Sequence, residues 1–151
     1  MPRRRFLILI RSILVGWVMF VPLTYLVARP ILLWMAPWLG AAWLPTAQLS
    51  LDCLALAAAG FGIGRLHRSA PVSGALAFAA TLCFFNLDPF LPINVPWLIR
   101  LAADAFHDTR YWGALEATAL QHLFLFGSLI LGALVSRRSA QPLSIFGGSR
   151  R

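Results

Sequence analysis

Four long apolar runs, separated by short clusters of arginine, set the pattern of this chain. Residues 6–28 carry no charge but Arg11, 47–64 none but Asp52, 71–87 none at all, and 114–135 only Glu116 and His122 among their ionisable groups. Runs of this length match the roughly 20 residues an α-helix needs to cross a hydrocarbon core of about 30 Å. The pattern therefore predicts an all-α integral membrane protein, a four-helix transmembrane bundle whose spans cover 6–28, 47–64, 71–87 and 114–135.

Two segments between these runs have a different character. Residues 30–45, PILLWMAPWLGAAWLP, are apolar but short, broken by Pro37, and hold Trp34, Trp38 and Trp43. Trp favours the membrane–water boundary, so this stretch is expected to be interfacial. Residues 96–109 follow a polar connection and place Trp97, Leu98, Leu101, Ala105 and Phe106 at helical spacing, opposite Arg100, Asp104, His107 and Asp108. That is the signature of an amphipathic helix lying on a surface. Residues 139–151 are polar and rich in Ser and Gly, and are expected to form a short disordered tail after a single helical domain over 1–138.

Arginine placement sets the orientation. If residues 30–45 do not cross, Arg3, Arg4, Arg5, Arg11, Arg65, Arg68, Arg137, Arg138, Arg150 and Arg151 share one side, against Arg29, Arg100 and Arg110 on the other. If they do cross, the arginines divide almost evenly. Basic residues concentrate on the cytoplasmic side, so the four-span arrangement with both termini inside is favoured. Arg29-Pro30 stands where a signal peptide would carry a small-residue cleavage site, and the first run reads as a retained anchor. Location in a cell membrane follows, with the bacterial inner membrane as the expected one.

Composition agrees: 60% of the 151 residues are hydrophobic and 12% charged, more apolar than one soluble core requires. The net charge of +8 lies in loops and termini rather than along one face, which argues for membrane orientation and against nucleic acid. Cys53 and Cys83 lack a CxxC spacing and sit in apolar runs, so neither zinc nor a disulfide framework is indicated.

The candidate chemistry is sparse. An ionisable residue inside a span is costly and usually faces the bundle interior or a water-filled cavity, which singles out Asp52, with Gln48 one turn away. His122 lies at similar depth in the last span and Glu116 nearer its outer end, so an Asp52–His122 pair along a polar path is geometrically open. Asp88, Asp104, His107 and Asp108 supply oxygen and nitrogen donors that weakly fit a metal, although Arg100 and Arg110 can neutralise the same carboxylates. Ala57, Gly60 and Gly64 form a small-residue stripe suited to close helix packing, and Ser128 and Gly132 a second one. No HExxH, GxSxG or paired acidic motif appears, and no cofactor is implied. These features lead to a non-catalytic subunit or scaffold that packs in the bilayer against copies of itself or other subunits. The alternatives are an oligomeric small-solute or ion transporter using Asp52 and His122 and, more weakly, a metal-dependent enzyme at the outer surface.

Overall fold

The computed structural model describes residues 2–84 and 95–139. Among them, helix α1 (Pro2–Pro22) runs into a π-helical turn (Leu23–Ala28) and on into α2 (Arg29–Leu66). Helix α3 covers Pro71–Phe84, α4 Val95–His107, and a 3-10 turn at Thr109–Tyr111 leads into α5 (Trp112–Ser139). The end of the expected third span, Asp88 and the C-terminal tail fall outside the described residues.

The first run does not stop at Ala28 as the Arg29-Pro30 pair suggests. Proline lacks an N–H and its ring meets the carbonyl four residues earlier, yet the helix continues to Leu39. The turn ahead of Pro30 is the reason: the Arg29 N–H bonds the Thr24 carbonyl, five residues back, and this wider turn relaxes the crowding at the proline. The break comes at Gly40, whose φ of 65° and ψ of 160° lie where only glycine is at ease. The Trp-rich segment is thus helical on both sides of one bend, and Gly40 divides α2 into arms 29–39 and 41–66.

The chain folds back at that bend. Gly62 lies against Met19 and Val15, and residues 24–33 face 48–52 across the hairpin, so the 41–66 arm runs antiparallel to α1. Gly16 lies against Phe78 and Gly74 against Ser12, which makes α3 parallel to α1. Ala57 meets Gly132, Gly60 meets Leu129 and Gly64 meets Ser136, which makes α5 parallel to the 41–66 arm. Chain direction therefore alternates through α1, the second arm, α3 and α5.

The interior is made by Phe20, Leu56, Ile63, Phe78, Leu82, Leu125 and Leu129. Phe78 anchors it, taking Trp17 and Phe20 edge-on at centroid distances of 5.8 and 6.2 Å. Trp17 Nε1 donates to Thr81 Oγ1 at 3.1 Å, so α1 and α3 are joined by a polar tie as well. Helix α4 lies against α5 and buries Leu101 and Ala105. Phe106 is on the other side of the helix, exposed and edge-on to Trp112 at 6.3 Å, because it stands about 100° round from Ala105.

The exterior is also apolar. Leu7, Leu14 and Val18 on α1, Leu54 on α2, and Leu120, Leu123 and Leu131 on α5 are all exposed. In water an apolar surface of this extent drives association; in lipid it is the required one. Two helical stretches, Phe6–Leu66 and Thr109–Arg137, are long and apolar enough to cross a membrane.

Candidate functional site

The described residues line a cavity of about 290 Å³, open on one side, between the two limbs of the hairpin. One wall is the face Gln48, Leu51 and Asp52 of the second arm, spaced three and four apart. The other comes from the π turn and the first residues of α2: Thr24, Ala28, Arg29, Leu32 and Leu33. Thr24, Arg29, Gln48 and Asp52 form its polar belt, and Ala28, Leu32, Leu33 and Leu51 the apolar remainder.

Asp52 is the centre of this belt. Its side chain is only 5% exposed, and Oδ2 has no hydrogen-bond partner. Thr24 Oγ1, equally buried, has none either. A helical threonine can satisfy its hydroxyl on the carbonyl of the preceding turn, as Thr118 does with Ala114 at 2.8 Å; Thr24, inside the π turn, does not. Leaving a buried polar group unpaired costs about 1–3 kcal/mol, and here two such atoms share one cavity. Arg29 exerts its positive charge on the Asp52 carboxyl, while its guanidinium stacks over Tyr25 at 4.3 Å from the ring centroid.

Of the residues singled out from sequence, Gln48 and Asp52 line this cavity, and Glu116 and His122 do not. Glu116 is exposed on α5. His122 is buried, but its Nδ1 lies 2.8 Å from the Thr118 carbonyl; a carbonyl can only accept, so Nδ1 carries the proton. The ring tilts against Phe126 at 6.4 Å. Arg29 and Thr24 take the places opposite Asp52. Arg29 entered the sequence argument as a topological charge and, with Pro30, against a cleavage site, and no local signal marks Thr24; the one available cue was Pro22 and Pro30 bracketing both.

The surface candidates among the described residues do not converge. Asp104 and His107 are exposed, and Asp108 pairs with Arg110 through contacts of 2.6 to 3.1 Å. Arg110 thereby holds the Asp108 carboxyl below its ordinary range, and its own pKa rises. Among the described residues no three His, Cys, Asp or Glu side chains come together as metal ligands.

The small residues define the opposite end of the molecule. A side chain at Gly60 would strike the Leu129 carbonyl, one at Gly132 the Ala57 carbonyl, and one at Gly64 both Ser136 and the Ala133 carbonyl. Backbones of α2 and α5 touch there. Ser128 is off this seam and bonds the Phe124 carbonyl of its own helix at 2.7 Å. Cys53 and Cys83 are free, half-buried thiols beside the core.

At the end of α2, His67 closes the helix through its N–H to the Ile63 carbonyl at 2.9 Å. Its ring is buried with Nε2 unpartnered. Burial, and then the charge of Arg11, push its pKa below the usual histidine value.

No family model matches the chain, and neither a curated protein nor a solved structure does.

Proposed function

We propose that this protein crosses the membrane four times, with both termini in the cytoplasm, and serves as a small-solute transporter whose binding site is the hairpin cavity. The observation that carries this is Asp52, a buried carboxyl with one oxygen unpartnered, on the wall of a space large enough for a ligand. A buried polar group without a partner is hard to account for as packing alone.

The membrane placement has independent support. Arg11 to Trp34, Arg65 to Trp43 and Arg137 to Trp112 are each about 33 to 38 Å apart at the helical rise, close to the thickness of a bilayer core and its boundaries. Arginine thus gathers at one end of three helical limbs and exposed tryptophan at the other, in keeping with the basic cytoplasmic side and the aromatic belt. The alternation of chain direction is what four successive crossings require. On this placement the cavity opens in the outer half, and the glycine seam seals the inner half.

A scaffold is the rival reading, and its motive was the small-residue stripes together with the lack of a catalytic set. Four of those residues, Ala57, Gly60, Gly64 and Gly132, are occupied inside the chain. The experiment is a thermal-shift screen of the purified protein in nanodiscs against small ammonium, carboxylate and zwitterionic compounds. The transporter reading expects one class to raise the melting temperature of the wild type and to leave the Asp52→Asn variant unmoved. If no class acts on the wild type, and Asp52→Asn copurifies with the same membrane subunits, the scaffold reading takes its place.

A further inference from the structure

The lining of the cavity narrows the class of solute it takes, on the premise that it is a solute site. We infer that the ligand is a primary alkylammonium: its nitrogen donates to Asp52 Oδ2 and Thr24 Oγ1, and its short carbon chain lies along Leu32, Leu33 and Leu51.

Two buried atoms decide the chemistry. Asp52 and Thr24 line the same space, each 5% exposed, and neither Oδ2 nor Oγ1 has a hydrogen-bond partner, so they do not bond each other. A carboxylate oxygen only accepts, and a hydroxyl oxygen accepts as well. A group that satisfies both from between them offers two or more donors. A primary ammonium has three N–H donors, no acceptor and the charge that complements a carboxylate. A quaternary ammonium has the charge without the donors, and an alcohol has one donor without the charge. Gln48, one turn before Asp52 on the same wall, is exposed. Its amide oxygen can take the third N–H, and its amide is also the place where a hydroxyl on the ligand could pair. Ala28, Leu32, Leu33 and Leu51 offer no polar side-chain atom, so the body of the ligand is held there by apolar contact.

Arg29 belongs to the lining and receives no ligand group. Its guanidinium lies over the Tyr25 ring at 4.3 Å and is engaged with its surroundings. Its positive charge also reaches Asp52, which weakens the pull of the carboxylate on any cation. Hydrogen-bond donors therefore rank the ligands, and charge alone does not.

A primary ammonium can arrive as a free amine or as the headgroup of an aminophospholipid, and the test separates the two. Equilibrium binding is measured in phosphatidylcholine nanodiscs, whose lipid has no N–H donor. The probes are isopentylamine, its N,N,N-trimethyl derivative, isoamyl alcohol and isocaproate. Isopentylamine is expected to bind at least about tenfold more tightly than any of the others, the scale of one charge-assisted contact. Asp52→Asn should bring isopentylamine down to the level of isoamyl alcohol and leave the alcohol where it was, and Thr24→Val should weaken the amine a few-fold, as the loss of a neutral hydrogen bond does. Equal weakening of amine and alcohol by Asp52→Asn would give Asp52 a structural role and overturn the inference. If the lipid is the occupant, native mass spectrometry from discs containing phosphatidylethanolamine should find it retained by the wild type and lost from Asp52→Asn, and its presence should block isopentylamine; the ammonium then stands and the small-solute reading falls. Equal binding of the amine and its trimethyl derivative, or tighter binding of isocaproate, would overturn the ammonium and leave the transporter reading intact. Binding of none of the probes, with no retained lipid, would remove both.

Discussion

The two halves of the 41–66 arm of α2 are built on opposite terms. Toward its C-terminal end, Gly60 and Gly64 bring the backbone against α5 so closely that no added carbon fits. Toward its N-terminal end, Gln48, Leu51 and Asp52 stand across a gap from the first limb. One helix thus combines a dry seam, where close dispersion contact holds the fold, with a hollow that leaves polar atoms unsatisfied. The seam is optimised for stability. The hollow leaves Asp52 Oδ2 and Thr24 Oγ1 unpaired at a cost in stability, which is the cost the proposed solute site would carry.

That contrast can be attacked first at the seam. Replacing Gly60 with Leu drives a branched side chain into the Leu129 carbonyl, and the expected outcome is a loss of about 3 kcal/mol or more. Loss of the monodisperse peak in size-exclusion chromatography and a collapsed melting curve would register it. Gly127→Leu is the matched control on α5, where a Cβ has nothing within 4 Å, and it should melt like the wild type. Equal damage from both would remove the distinction between seam and surface.

The hollow should respond in the reverse direction. Asp52→Leu removes the unpaired carboxyl and fills space with an aliphatic group, so the variant is expected to be more stable by about 1–3 kcal/mol while losing solute binding. A rise in melting temperature together with abolished thermal shifts is the signature of a site held at the expense of stability. A fall instead would mean that Asp52 is a structural support.

The smallest effect belongs to the end of α2. His67 is held below its usual pKa in the folded chain, so between that value and about 6.5 the unfolded state binds more protons than the folded one. Stability therefore falls as pH drops through this window and is fully present above it. Melting curves across that range should slope for the wild type and flatten for His67→Gln; an unchanged slope would assign the effect to another group.

The alternation of arginine clusters with uncharged runs was enough to read helix over 47–64, 71–84 of the expected 71–87, and 114–135, because lipid-sized apolar runs have few alternative structures; the structure extends the first to residue 41 and the last over Trp112–Ser139. Helix α4 was legible from its period, with Leu101 and Ala105 buried, though Phe106 turned the other way. The cavity was only half legible. Asp52 and Gln48 stand out because polarity inside an apolar run is rare, but their facing partners depend on a bend at Gly40 and on the hydrogen-bond pattern before Pro30. Neither has a signature in residue type alone: Arg29-Pro30 is read as a stop unless the preceding turn is known to be wide. His122 looked like the partner because depth along a helix can be counted, whereas the side it presents depends on how α5 rotates against Gly60.

A π turn is an α-helix carrying one surplus residue, and that count has consequences beyond local shape. Everything after Ala28 is rotated by about 100° relative to a helix without the surplus. Arg29, Leu32 and Leu33 owe their facing to that offset. Removing any one residue between Leu23 and Ala28 would restore the ordinary pitch, swing these three side chains away from the second arm, and leave Asp52 opposite a different set of neighbours. In that sense the cavity is a phase difference between two stretches of one helix, one that a single codon inserts or erases.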